Sequence, residues 1–329
     1  MQKSALFGVV VFVGLIVALG LGSWYFQVNS AKPVADPYAY ENDDTKASES
    51  TLALSLLTKG STPKVFELTV PEFDQPLAKA EVLELASGRN LIVGWESQIA
   101  EPVLRSDVNP TEELGLIKAL NQYLPMNSTV LAMPTLSDRL NELSVGTYPF
   151  ASLAALQAPT APEGSEKAVL RLESKWLGDQ EMNAQPESFQ NFIEALVSED
   201  LYGAARLQAL AGGEAAYVIL HIRDSFDIGT MLPEKLHVGL RDFPGAGHAH
   251  DMTRQVKTWV ADEDFAAYAV QQINGGETLR AYFLAEGTDK ATLLGQLLPF
   301  NTSRIGLISG TKLVFQVGGY WAYRIDPVD

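Results

Sequence analysis

The chain has 329 residues, 47% of them hydrophobic, with a formal net charge of −16 and no cysteine. That length and apolar content suffice for one large or two small domains with real cores, while the charge disfavours nucleic acid and anionic headgroups, so no nucleic-acid role is expected. The missing thiols exclude a disulfide framework, Cys-ligated zinc, an iron–sulfur cluster and covalently attached c-type haem, and no cofactor is expected.

The first segment reads as an address. Residues 4–31 carry no charge, and "ALFGVVVFVGLIVALGLGSWYF" within them is almost wholly apolar. A membrane-spanning helix needs about 20 apolar residues, whereas the apolar core of a signal peptide is roughly 7–15. Ser23 and Ala31 offer only poor small-x-small cleavage patterns. Residues 5–25 are therefore expected to span the inner membrane uncleaved, within an anchor of residues 1–26. Lys3 precedes the run, and Lys32, Asp36, Glu41, Asp43 and Asp44 follow it. The positive-inside bias places the N-terminus in the cytoplasm and the remainder outside, with Trp24 and Tyr25 at the outer interface. Residues 27–50, polar and with two prolines, are expected to be a linker.

An α/β alternation follows. "KVFELTV" (64–70) reads as a strand by its alternation, and "RNLIVGWE" (89–96) as a buried strand by its short β-branched run. "NPTEELGLIKALNQYLP" (109–125) predicts a helix. Asn109 serves as cap, Pro110 is preset for the first turn, and Leu114, Ile117 and Leu120 share a face. "STVLAM" (128–133) reads as a strand and "PTLSDRLNELSVG" (134–146) as a helix with Leu136, Leu140 and Leu143 aligned. "AVLRLES" (168–174) is expected to be a strand, residues 187–213 one or two helices, and "AAYVILHIRD" (215–224) one long strand. Residues 51–226 thus read as a first α/β lobe around a largely parallel sheet.

Residues 227–329 read as a second, α+β lobe. A strand at 237–243 and a helix at 248–263 precede two strands at 266–273 and 278–285. Between these lies "NGGE", a hairpin signal. A helix at 289–300 then leads to a last hairpin, "KLVFQV" and "YWAYRID" around Gly318–Gly319. This order matches a ferredoxin-like, split βαβ layout with one extra strand.

Three stretches carry side chains suited to a site. In "GLRDFPGAGHAHD" (239–251), His248, His250 and Asp251 offer nitrogen and oxygen ligands for a metal, but no third well-placed ligand is evident. The competing reading is a strand, a glycine-rich turn and a helix start. "HIRD" (221–224) and "GLRD" (239–242) end strands with Arg–Asp pairs, where α/β sheets bind ligands, but loop salt bridges are the expected reading. In "GGYWAYRID" (318–326), Tyr320, Trp321 and Arg324 are candidate interface anchors, or ordinary strand residues. No Walker loop, Rossmann glycine fingerprint, G-x-S-x-G or H-E-x-x-H occurs.

At "RDFPGAGHAHDMTRQVKTWV", "LLGQLLPF" and "FQVGGYWAYRID" the chain resembles the HaoB family of hydroxylamine-oxidation accessory proteins, most strongly over residues 215–326. The resemblance implies a membrane-anchored periplasmic protein, encoded beside a multihaem hydroxylamine oxidoreductase, and it carries over no catalytic residue. The expectation is a non-catalytic accessory or docking protein for that oxidoreductase. The alternative is a periplasmic metal-binding protein or enzyme using His248, His250 and Asp251.

Overall fold

A computed structural model describes residues 36–58, 60–71, 73–98, 108–157, 164–177, 186–212, 216–245, 249–273, 276–300, 305 and 308–326. The expected anchor at residues 5–25 lies outside them. Among the described residues no helix is long and apolar enough to cross a membrane. The chain divides into two units, residues 1–37 with 161–170 and residues 38–160 with 171–329. The fold that follows is that of the second.

The fold is α/β with mixed sheets. The elements are β1 (Ala39–Asp43), α1 (Glu49–Ser55), β2 (Thr62–Thr69), β3 (Ala78–Glu84), β4 (Asn90–Ser97), α2 (Pro110–Tyr123), β5 (Thr129–Leu131) and α3 (Pro134–Leu143). After a 3-10 turn at Ala151–Gln157 come α4 (Glu166–Leu177), α5 (Glu187–Val197), α6 (Asp200–Leu210), β6 (Ala216–His221), α7 (Asp224–Met231) and β7 (Val238–Pro244). The rest comprises α8 (Ala249–Asp262), β8 (Ala267–Ile273), β9 (Thr278–Leu284), α9 (Leu293–Leu297), β10 (Thr311–Val317) and β11 (Tyr320–Ile325).

Three sheets form. The first is an antiparallel meander β1-β2-β3-β4, the second has the order β10-β11-β6-β5, and the third has the order β7-β9-β8. The expected largely parallel sheet is therefore corrected: β5 with β6 is the parallel pair, and it runs for three residues. Short reverse turns, such as the one holding Gly88 at φ +84°, bring successive strands back antiparallel, which a helical crossover would not do.

The ferredoxin-like expectation is half met. β7 and β8 flank β9, both antiparallel to it, with α8 joining β7 to β8, which is a split βαβ unit. Among the described residues that sheet has three strands, because the closing hairpin β10–β11 pairs with β6 from Tyr320↔His221 to Ile325↔Ala216. Alternation on β6 and β11 explains the choice. Val218, Leu220, Tyr323 and Ile325 enter one core with α5, α6 and α9, while Tyr217, Ile219, Tyr320 and Ala322 enter another with α2, α3 and the first sheet. A strand buried on both faces needs neighbours on both edges, and β11 supplies one.

Local departures have local causes. Residues 168–174 are helical, because the buried positions Val169, Glu173 and Trp176, with Ala168 and Leu177 beside them, recur at helix spacing. The strand read as 215–224 stops at His221, where the backbone turns into α7. The stretch expected as one or two helices at 187–213 forms two, α5 and α6, ending at Leu210. The helix expected at 289–300 is a 3-10 turn followed by α9, whose N-cap Thr292 accepts from the Gly295 N–H. Leu293, Leu294 and Leu297 are buried, as their shared face requires. Asn109 caps α2 by accepting from the N–H groups of Thr111 and Glu112, as its position before Pro110 implies.

Candidate functional site

Acids, bases and a phenol converge at the carboxyl end of β6. There the first turn of α2, the middle of α3, the start of α7 and the Gly318–Gly319 turn meet. On α2 the inward stripe is Glu113, Leu116, Ile117 and Leu120, at i, i+3, i+4 and i+7. On α3 it is Leu136, Arg139, Leu140 and Leu143. Each helix thus drives one charged residue into the core. Glu113 is fully buried, and its Oε1 accepts from Arg139 Nη2 at 2.7 Å, Arg139 Nε at 3.1 Å and the Tyr320 hydroxyl at 2.6 Å. Burial works against the Arg139 charge, but Glu113 more than offsets it and holds the guanidinium firmly protonated. Burial and then the Glu113 charge push the Tyr320 phenol well above its ordinary range.

His221 forms the second half of the site. Its Nδ1 accepts the Arg223 N–H at 3.1 Å, which leaves the proton of the neutral ring on Nε2. Nε2 lies 3.7 Å from Glu112 Oε2 and 3.3 Å from the Gln271 amide, and the ring packs on Tyr320 with centroids 4.6 Å apart. Glu112 Oε2 also accepts the Gly319 N–H at 3.1 Å. Burial raises the Glu112 carboxyl, but the His221 ring and the Gly319 N–H outweigh it and leave it below the usual carboxylate range. The glycine pair is a steric requirement: a Cβ on Gly319 would lie 2.3 Å from His221 Nε2, and one on Gly318 would lie 2.4 Å from Glu112 Cδ.

Asp224 accepts the His221 backbone N–H at 2.8 Å. Burial pushes its carboxyl up to about 7 against the opposing pull of His221. Arg223 bonds Asp227 at 3.0 Å. In the third sheet Arg280 makes a bidentate pair with Asp242, both bonds 2.7 Å. The Arg–Asp dipeptides singled out in the sequence thus do make salt bridges, although Arg223 and Asp242 pair with other residues, and Arg241 lies over the rings of Phe243 and Trp259. The network holds acids and bases, most of them bonded to one another, while Glu113 Oε2 is buried with no hydrogen-bond partner among the described residues.

The other sequence candidates lie only partly within the described residues. His248 lies outside the described residues, and nothing is described of the His250 side chain. Asp251 is exposed, 3.9 Å from Arg254. Among the described residues no three His, Cys, Asp or Glu side chains converge as metal ligands. Tyr320 is buried in the network, Trp321 packs partly buried against the core, and Arg324 bonds Asp326 at 2.6 Å. Glu112, Glu113 and Arg139 were not singled out as a site from sequence, whereas His221 opens the "HIRD" stretch that was. The readable signal was a charge on the leucine stripe of each helix.

No curated protein and no solved structure matches the chain. A family model does, across residues 2–325, nearly the whole length, and its description is HaoA-associated protein HaoB. The chain belongs to the HaoB family of HaoA-associated proteins, with an accessory role linked to hydroxylamine oxidation.

Proposed function

We propose that this protein is a membrane-anchored periplasmic docking partner of the multihaem hydroxylamine oxidoreductase and is not itself catalytic. The observation that carries the reading is the family match, which begins at residue 2 and so takes in the uncharged apolar run as well as the α/β body. The asymmetry of charge around that run supports a cytoplasmic N-terminus and a periplasmic body. A chain without cysteine attaches no c-type haem of its own, so an electron-transfer role would rest on a partner's haem. The buried Glu113–Arg139–Tyr320 pairing at β6 fits a body held rigid to present a surface.

Co-purification tests the proposal. The full chain, tagged at its C-terminus and extracted from native membranes, is expected to bring down a protein with a multihaem Soret spectrum. Deleting residues 1–35 is expected to move the protein to the soluble fraction. A mature N-terminus near residue 32, or a wild-type preparation free of haem protein, would defeat the anchor or the docking reading respectively.

A further inference from the structure

A second buried polar cluster lies apart from the first, where α4 covers the meander sheet. Tyr38 and Tyr40 stand two residues apart at the start of β1, so their side chains share a face. Glu173 and Trp176 stand three apart on α4 and share a face of that helix. Both phenol hydroxyls donate to one atom, Glu173 Oε1, each at 2.8 Å. The Tyr40 ring is 5.7 Å from Tyr38, 4.7 Å from Trp176 and 6.5 Å from Trp95, all edge-on. None of these five residues is more than 8% exposed, and Glu173 is 1% exposed. Packing alone would be met by phenylalanine at both tyrosine positions. Two phenols on one carboxylate oxygen add something packing does not need, a shared proton acceptor.

We propose that the Tyr38–Tyr40–Trp95–Trp176 cluster, with Glu173 as proton acceptor, is a redox-active site that takes up one oxidising equivalent. A phenol gives up an electron readily only when its proton leaves at the same time, because the oxidised phenol is a strong acid. Here the Tyr O–H bond breaks, the proton passes to Glu173 Oε1 and the electron passes to a strong one-electron oxidant, a small inorganic radical. The products are a neutral phenoxyl radical, a protonated Glu173 and the oxidant reduced by one electron. Reduction by any one-electron donor returns the electron to the phenoxyl and the proton from Glu173. The second phenol and the two indoles, at ring contact, give the hole further places to reside.

The test uses the full-length purified protein with photogenerated ruthenium(III) tris-bipyridine as oxidant, read by transient absorption and by electron paramagnetic resonance of the frozen sample. The wild type is expected to give a phenoxyl signal that falls severalfold in the Tyr38→Phe/Tyr40→Phe double variant and persists in Tyr320→Phe. Glu173→Gln keeps both phenols but lacks the basic acceptor, so its phenoxyl is expected to form severalfold more slowly. Should Glu173→Gln fail to fold, the tyrosine variants, which keep every ring, decide alone. An undiminished signal in a folded double variant, or an unchanged rate in a folded Glu173→Gln protein, would overturn the assignment.

Discussion

Replacing Glu113 with glutamine should destabilise the protein more than removing the whole polar triad does. Glu113 is 0% exposed and Arg139 8%, and the carboxylate is the partner of two guanidinium N–H groups. Glu113→Gln leaves an uncompensated charge in the core, which costs about 3–5 kcal/mol when one partner of a buried pair is lost. The amide oxygen still accepts one bond, so the lower end is expected. Tyr320→Phe removes one hydrogen bond to a charged acceptor that keeps its other donors, a loss of roughly 1.5 kcal/mol. In the triple variant Glu113→Met/Arg139→Met/Tyr320→Phe no buried charge remains, and stability should lie within about 2 kcal/mol of wild type. Urea unfolding followed by circular dichroism, with unchanged m-values, gives the three free energies. A cost below about 1 kcal/mol for Glu113→Gln, or a triple variant less stable than that single one, would refute the reasoning that the ion pair is buried and interdependent.

Two further outcomes follow from the same site. Asp224 titrates near 7 when folded against 3.8 as the ordinary value, so the folded protein holds a proton that the unfolded chain has lost across that window. Its contribution is intact below the lower value and is lost as pH rises through about 7, a penalty of roughly 4 kcal/mol when complete. Asp224→Asn should flatten the fall in urea-unfolding free energy between about pH 4 and 7, and an unchanged slope would count against burial as its cause. Gly319→Ala places a Cβ 2.3 Å from His221 Nε2 and should cost about 1–3 kcal/mol, measured by the same denaturation.

What the sequence disclosed depended on the range over which each feature is decided. The cap at Asn109, the stop after Tyr123, the buried Leu293, Leu294 and Leu297 and the β8–β9 hairpin are settled within a few residues, and all were legible. The helix over Glu166–Leu177 was misread because "AVLRLES" alternates over a short window, while its helical spacing emerges only with Trp176 and Leu177. The partner of the β10–β11 hairpin was beyond local reading: an alternating strand fits the third sheet or the second, and pairing with β6 was decided by two cores that no local pattern names.

The candidate site fails to read for the same reason, since Glu113 meets Arg139 across 26 residues and Tyr320 across 207. Part of it was nonetheless available. A glutamate on the stripe Glu113, Leu116, Ile117, Leu120 and an arginine on the stripe Leu136, Arg139, Leu140, Leu143 are each costly in a core alone. Two such intrusions of opposite sign, on helices separated by one short strand, are tolerated together only if they meet. Tyr320 was weighed as an interface anchor because tyrosine is common there, but its alternation with Ala322 along β11 sets it on the face that carries the pair. Polar residues that break an apolar period therefore locate the site.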